Sequence, residues 1–177
     1  MHQQTPLAIN CDTVIDTWIK SLDNYNLSQL TAKPSPTSWS VGQLYMHLVQ
    51  ATGYFIKQIH ACTTSNDNLE AESYPEARSM FANNDFPDML LDGPPSNATT
   101  PQPTSKEQLI DGLKRVKDEI KKSELQIAQT PFKGKAKHFA LGYFTAQEWL
   151  QFTEMHFRHH LRQKKRLDEF LHSNNIH

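Results

Sequence analysis

Four stretches of the chain place apolar residues at three- and four-residue steps, and this spacing constrains the fold more than any other feature. The period predicts amphipathic helices, because residues three and four apart share one helix face. The predicted helices run from about Asp12 to Leu30, from Ser40 to about Ala61, from Thr104 to about Gln129 and from Thr145 to about Leu171. The sequence shows no internal repeat and no long strand pattern. It therefore predicts an all-α protein, a four-helix bundle.

The length and charge of the chain limit what the bundle can do. Its 177 residues suit a single domain, 1–177, which can bury a core without disulfides or a structural metal. With 18 basic and 19 acidic residues the net charge is −1. Proteins that neutralise nucleic-acid phosphates carry a basic excess on one face. We therefore expect a small-molecule partner and no nucleic acid.

Residues 62–103, between the second and third predicted helices, follow a different pattern. Prolines interrupt this stretch too often for one continuous helix, and it still carries many large apolar side chains. The prolines are Pro75, Pro87, Pro94, Pro95, Pro101 and Pro103, and the apolar residues include Tyr74, Met80, Phe81, Phe86, Met89, Leu90 and Leu91. We expect a long, ordered, Pro-rich insertion packed on the bundle, with a short helix near Pro75 to Phe81.

Cysteine usage and hydropathy predict a cytoplasmic protein. Cys11 and Cys62 lie far apart and form no CxxC pair, so they indicate neither a disulfide framework nor a thiolate zinc cluster. We interpret both as buried, inert thiols. The start of the sequence has no signal-peptide pattern, and no apolar run approaches the roughly 20 residues of a membrane span. We expect no membrane partner.

Two of the nine histidines lie on the apolar face of the last predicted helix. His156 and His160 are four residues apart, so their imidazoles project one turn apart on the same face and can reach a single ion. His159 points about 60° to the other side and is interpreted as flanking. Buried imidazoles need partners, either hydrogen bonds within a core or a metal. Both interpretations of the pair remain open at this point.

A third histidine, His47, lies near the edge of the apolar face of the second predicted helix. If it faces His156 and His160, the three nitrogens form a metal site with open positions for water or substrate. Such imidazole ligation suits zinc, nickel, copper or iron. Taken alone, His47 fits a structural core histidine equally well.

Two motifs around these histidines resemble those of the DinB-like superfamily of four-helix metalloenzymes, which includes the YfiT-type proteins. One motif is Trp39-x-x-x-Gln43-x-x-x-His47 and the other is His156-x-x-x-His160-x-x-Gln163. The resemblance extends from about Asp12 to Leu171 and implies that His47, His156 and His160 bind a divalent metal, usually zinc or nickel. Residues 62–103 do not align with the family pattern.

The resemblance implies an enzyme that is a metal-dependent hydrolase or a transferase of low-molecular-weight thiols, with the thiol as co-substrate. A metal-binding or small-molecule-binding bundle without turnover is the alternative. No residue stands out as a general base, because Glu154 lies on the opposite face from His156 and Glu148 caps the helix. Gln163 fits either a core hydrogen bond or the orientation of a ligand. His138 is the first alternate ligand or proton shuttle.

Other interpretations fit less well. A ferritin-like di-iron bundle needs carboxylates from all four helices, and the second predicted helix has none. The His-Glu-x-x-His metalloprotease motif is absent because Phe157 follows His156. The basic residues from Arg158 to Arg166 are interpreted as a solvated surface that complements the helix dipole. Family members often form homodimers, so the resemblance implies that a homodimer is possible.

Overall fold

The computed structural model describes residues 5–87 and 99–176. In this part of the chain there are six α-helices and one β-hairpin. The helices are α1 (Pro6–Ser21), α2 (Leu27–Thr31), α3 (Val41–Thr64), α4 (Pro75–Asn83), α5 (Lys106–Gln129) and α6 (Ala146–Ser173), and the strands are β1 (Lys135–His138) and β2 (Gly142–Thr145).

The helices that carry the histidines begin at capping boxes. Ser40 accepts a hydrogen bond from the backbone N–H of Gln43, and the Gln43 side chain accepts one from the backbone of Ser40. Thr145 and Glu148 form the same reciprocal pair at the start of α6. Such pairs satisfy two otherwise unpaired N–H groups and fix where a helix begins. Both starts are confirmed where the sequence predicted them.

The prediction of one continuous helix from Asp12 to Leu30 is wrong. Helix α1 begins earlier, because Thr5 caps it and Pro6 occupies its first position, where the missing N–H costs nothing. The helix continues into a short 3₁₀ turn, after which Tyr25 is extended. Asn26 then forms a capping box with Gln29 and starts α2. The competing cap therefore divides one apolar stripe into two helices.

The four long helices pack as a bundle, which confirms the predicted all-α fold. Helix α3 packs against α5 and α6, and α1 packs against the same two helices. Two fully buried rings cross-link them: the Trp18 indole donates to the Phe157 carbonyl over 3.2 Å, and the Tyr45 hydroxyl donates to the Trp18 carbonyl over 2.8 Å. Both polar groups thus stay satisfied inside the core.

The connector before α6 contains an antiparallel hairpin that the sequence did not predict. Lys135 pairs with Thr145 and His138 with Gly142. Gly142 has φ of +86°, and a Cβ there would lie 2.7 Å from the Glu72 carbonyl oxygen, so a side chain is excluded. Each strand has only four residues, too few for the sequence to indicate a strand, although buried residues alternate along both. The hairpin leads directly into α6 and places His138 beside the bundle core.

The stretch that was predicted as an insertion contains the helix expected near Pro75 to Phe81. Helix α3 extends to Thr64, three residues beyond its predicted end, and α4 packs against α6. Ala77, Met80 and Phe86 are buried. The apolar residues Met89, Leu90 and Leu91, with Pro94 and Pro95, lie outside the described residues. The status of 62–103 as an insertion stays a prediction.

Candidate metal centre

Three buried imidazoles converge where α3 crosses α6. The Nε2 atom of His156 lies 3.2 Å from that of His47 and 3.1 Å from that of His160. Each of the three residues has a ligand atom within 4.8 Å of those of the other two. Among residues 5–87 and 99–176, these three form the group of His, Cys, Asp or Glu side chains that lie close enough together to bind one metal ion. The structure therefore brings together the three residues that the sequence selected.

The convergence follows from helix periodicity and from the packing of α3 on α6. His156 and His160 occupy successive turns of the α6 face that meets α3. His47 lies one turn beyond Gln43, whose side-chain amide donates to the Thr100 carbonyl over 2.6 Å. The capping pair of Ser40 and Gln43 thus sets the position of the histidine relative to the helix start.

The distances between the Nε2 atoms are close to those between the ligand atoms of a bound metal ion. Zinc–nitrogen bonds of about 2.0–2.1 Å in a tetrahedral site would place ligand atoms about 3.3 Å apart. The Nε2 of His156 approaches two other nitrogens. Between neutral imidazoles, a protonated Nε2 could serve both neighbours only as a bifurcated donor. A cation among the three lone pairs would interact with all three nitrogens directly, so the residues fit a metal.

A hydrogen bond fixes the tautomer of His160. The Nδ1 atom of this residue lies 2.9 Å from Oε1 of Gln163, which can only accept. Nδ1 therefore carries the proton, and Nε2 presents its lone pair to the other two imidazoles. Ligating histidines characteristically donate their second N–H to such a partner. Gln163 thus has the orienting role that the sequence left open, and it orients a histidine.

His156 has no equivalent partner among residues 5–87 and 99–176. Its Nδ1 is buried and forms no hydrogen bond with any of them. Aromatic rings hold the imidazole instead: Phe55 meets it edge-on at a centroid distance of 5.2 Å, and the plane of Phe152 lies within 18° of it at 6.3 Å. On the other side of the site the Trp39 ring lies 4.8 Å from that of His47. The triad is therefore enclosed mainly by aromatic surface.

Burial keeps the three imidazoles neutral. It lowers the pKa of His47 to about 4 and, with the neighbouring imidazoles of His47 and His159, that of His160 to about 3. Burial and the neighbouring imidazoles also hold the pKa of His156 well below its usual range. Only neutral imidazole has the lone pair that a metal requires. The site is thus in its binding form at neutral pH.

The other sequence candidates lie outside the triad. His138 is buried against Phe144 and Phe152, and its Nδ1 accepts from the Ala140 N–H over 3.3 Å. It does not belong to the convergent group. His159 packs against Phe86 and flanks the site. Glu148 caps α6, with its Oε2 accepting from the Thr145 N–H over 2.8 Å.

Both cysteines are free, buried thiols. Burial raises the pKa of Cys62 to about 11 and that of Cys11 further. A thiol becomes a nucleophile only as its thiolate, so neither side chain is activated at neutral pH. This agrees with the expectation that the two residues are inert.

Part of the basic surface predicted on α6 has a different role. Arg158 binds the buried carboxylate of Glu154 through Nε over 2.8 Å and through Nη2 over 3.0 Å. Arg162 donates to both carboxylate oxygens of Asp85. The prediction of a solvated surface is wrong for these two arginines, whereas Lys165 and Arg166 are exposed. Asp85 and Phe86 were not among the predicted site residues, since no local motif marks them.

Three further observations concern the class of protein to which this chain belongs. Among the described residues, no helix is long and apolar enough to cross a membrane. A family model for the DinB superfamily matches residues 11–163, which include all three histidines and end at Gln163. The comparison with curated proteins gives no match.

Proposed function

Because the chain belongs to the DinB superfamily, we propose that it is a metal-dependent enzyme that acts on a small molecule, with His47, His156 and His160 as the ligands of a divalent metal. The observation that carries the proposal is the convergence of three Nε2 atoms at separations of 3.1 and 3.2 Å. Three protein ligands leave positions open for water or substrate, which is the arrangement of catalytic sites.

The residues around the triad have distinct roles in this proposal. A metal held there would supply Lewis acidity, which lowers the pKa of water or a thiol in its open position. Gln163 holds His160 in the tautomer that presents Nε2. Trp39 and Phe55 exclude water from the ligands by covering His47 and His156. Zinc or nickel is the proposed metal, since imidazole nitrogen suits both.

The charges near the triad favour a thiol over water as the nucleophile. In the described part of the chain, the group of converging ligand atoms consists of three imidazoles and contains no carboxylate. Glu154 is paired with Arg158, and Glu148 caps α6. Without a carboxylate base, the nucleophile must ionise readily. A thiol coordinated to zinc is deprotonated outright, whereas water bound to zinc keeps a pKa of about 7 to 9. We favour transfer of a low-molecular-weight thiol over hydrolysis.

The first experiment is metal analysis of protein purified without a nickel column, together with His156→Ala. We expect about one metal per chain in the wild type and none in the variant. A wild type that stays metal-free after loading would overturn the proposal.

The second experiment separates catalysis from binding alone. Metal-loaded protein is screened against small electrophiles with and without cytoplasmic thiols. Turnover that requires both the metal and a thiol supports the transferase. Turnover with the metal alone supports the hydrolase, and binding of electrophiles without turnover favours a bundle that only binds.

A further inference from the structure

A tight turn after α4 carries an aromatic ring to the edge of the triad. The turn comprises Asn84, Asp85 and Phe86, and we call it the 84–86 turn. Asn84 adopts the left-handed conformation (φ 50°, ψ 38°) and ends α4. The chain then reverses, and the Asp85 N–H donates to the Met80 carbonyl over 3.2 Å. Phe86 follows and is only 6% exposed.

The ring of Phe86 packs against the α6 face that carries the ligands. Its centroid lies 5.1 Å from that of Phe152, 5.0 Å from that of His159 and 6.4 Å from that of His156. Phe86 thus continues the aromatic surface that Phe55 and Phe152 form around His156.

Polar side chains of α6 hold the 84–86 turn in place. Arg158 Nη2 donates to the Asn84 carbonyl over 2.6 Å, and Arg162 Nη2 donates to Asp85 over 2.9 and 3.0 Å. Gln151 donates to the Asn84 side chain over 3.0 Å. Charge-assisted contacts of this kind are the stronger hydrogen bonds. The position of Phe86 is therefore fixed by α6, which also carries two of the three ligands.

The same contacts pair the charged groups of the turn with one another. Arg158 is paired with Glu154 and Asp85, and Arg162 with Asp85. Phe86 therefore presents an apolar ring beside the triad, next to charges that are already paired.

We propose that Phe86, held by the Asp85–Arg162 contact, is a specificity-determining residue that selects substrates with an uncharged, apolar group next to the metal-binding atom. This inference rests on the proposed function. An apolar group gains free energy by leaving water against Phe86, in proportion to the area buried. A charged group at the same place loses its hydration without a new partner, because Arg158 and Arg162 already pair with Asp85.

The test uses three hydroxamates that share one metal-binding head group: acetohydroxamate, benzohydroxamate and para-carboxybenzohydroxamate. Their dissociation constants are measured by calorimetry with metal-loaded protein. We expect benzohydroxamate to bind roughly tenfold more tightly than acetohydroxamate, from the apolar area of one ring. We expect para-carboxybenzohydroxamate to lose this gain in affinity over acetohydroxamate.

Variants of Phe86 test whether this residue causes the preference for benzohydroxamate over acetohydroxamate. In Phe86→Gln the ratio between benzohydroxamate and acetohydroxamate falls below about threefold, whereas Phe86→Leu, which keeps an apolar side chain, retains most of it. Phe170→Gln is the matched control, because Phe170 lies on α6 well beyond His160. It keeps the wild-type ratio. Metal content and thermal unfolding of each variant establish that the site and the fold are intact.

The outcomes separate the two proposals. Equal binding of benzohydroxamate and acetohydroxamate by metal-loaded wild type, or an unchanged ratio in Phe86→Gln, overturns the role of Phe86 and leaves the proposed function standing. A protein that takes up no metal overturns both.

Discussion

The two sides of the candidate site are built in different ways. On one side, α3 and α6 present His47, His156 and His160 from the faces along which the helices pack. On the other side, the 84–86 turn reaches the site through contacts that Arg158 and Arg162 make with it. Helix periodicity positions the ligands, and ion pairs between distant residues position the covering ring.

Because the two sides are held in place differently, we expect metal binding and substrate selectivity to respond to different substitutions. Side chains on packed helices stay in place as long as the core is intact, because close-packed interiors resist displacement. The 84–86 turn depends on partly exposed polar contacts instead, since the side chains of Arg158 and Asp85 are 34% and 44% exposed. Substitutions on the helix faces should therefore abolish metal binding, while those on the turn should change what binds next to the metal.

The largest effect is expected from comparing two neighbouring histidines of α6. His156→Ala removes the nitrogen that approaches both other ligands, and we expect metal affinity to fall at least about 100-fold. His159→Ala removes an imidazole that packs on Phe86 outside the triad, and metal affinity should stay within about threefold. Competition with a coloured chelator measures both. Equal losses in the two variants would contradict the assignment of ligands.

The second prediction tests the polar contacts of the turn. Arg158→Ala leaves the buried carboxylate of Glu154 unpaired, and we expect the free energy of unfolding to fall by about 2–3 kcal/mol. Lys121→Ala, which removes a more exposed ion pair with Asp12, should cost less than about 1 kcal/mol. Denaturant titration at neutral pH measures both variants. A loss in Arg158→Ala as small as in the control would show that Arg158 is not needed to hold the turn, which would then depend on Arg162 and Gln151.

The helix side of the comparison was predictable from sequence. The i, i+4 spacing of His156 and His160 and the capping box at Ser40 are local patterns, and local patterns fix which face of a helix a residue occupies. His47 required more, since its partner helix was assigned through the resemblance to the DinB-like superfamily. The helix faces and the three candidate ligands were therefore identified before the structure.

The turn side was not predictable, because its contacts join residues far apart in the chain. Asp85 binds Arg162 across 77 positions, and no local pattern pairs them. Arg162 was interpreted as solvated for the same reason, whereas the pairing of Arg158 with Glu154 has the local i, i+4 spacing and was missed. The start of α1 was mispredicted differently: an apolar stripe indicates a helix, but Thr5 and Asn26 decide where helices begin.

The third prediction compares how two of the proposed ligands, His160 and His156, are oriented. His160 is held by Gln163, whereas Nδ1 of His156 has no hydrogen-bond partner in the described part of the chain. Gln163→Leu should therefore lower metal affinity about tenfold by freeing the ring of His160, while Gln163→Glu, which keeps an acceptor, retains it. Chelator competition measures both. Full affinity in Gln163→Leu would show that packing alone orients His160, as it does His156.

The smallest effect concerns how the free energy of unfolding changes in acid, because two buried histidines titrate differently in the folded and unfolded chain. Burial lowers the pKa of both His138 and His47 to about 4, from an ordinary value of 6.5. Between these values the unfolded chain binds more protons than the folded one, so the free energy of unfolding of metal-free protein falls as the pH falls from about 6.5 towards 4. Above that range both states are neutral, and the full stability is present.

His138→Phe isolates the contribution of one imidazole outside the triad. The substitution keeps a ring between Phe144 and Phe152 and removes one titrating group. We expect the loss of stability between about pH 7 and pH 5 to be smaller than in the wild type by about 1 kcal/mol, measured by denaturant unfolding of metal-free protein. An unchanged pH dependence would mean that His138 accepts a proton in the folded state. Its imidazole would then be accessible to solvent in spite of its position between Phe144 and Phe152.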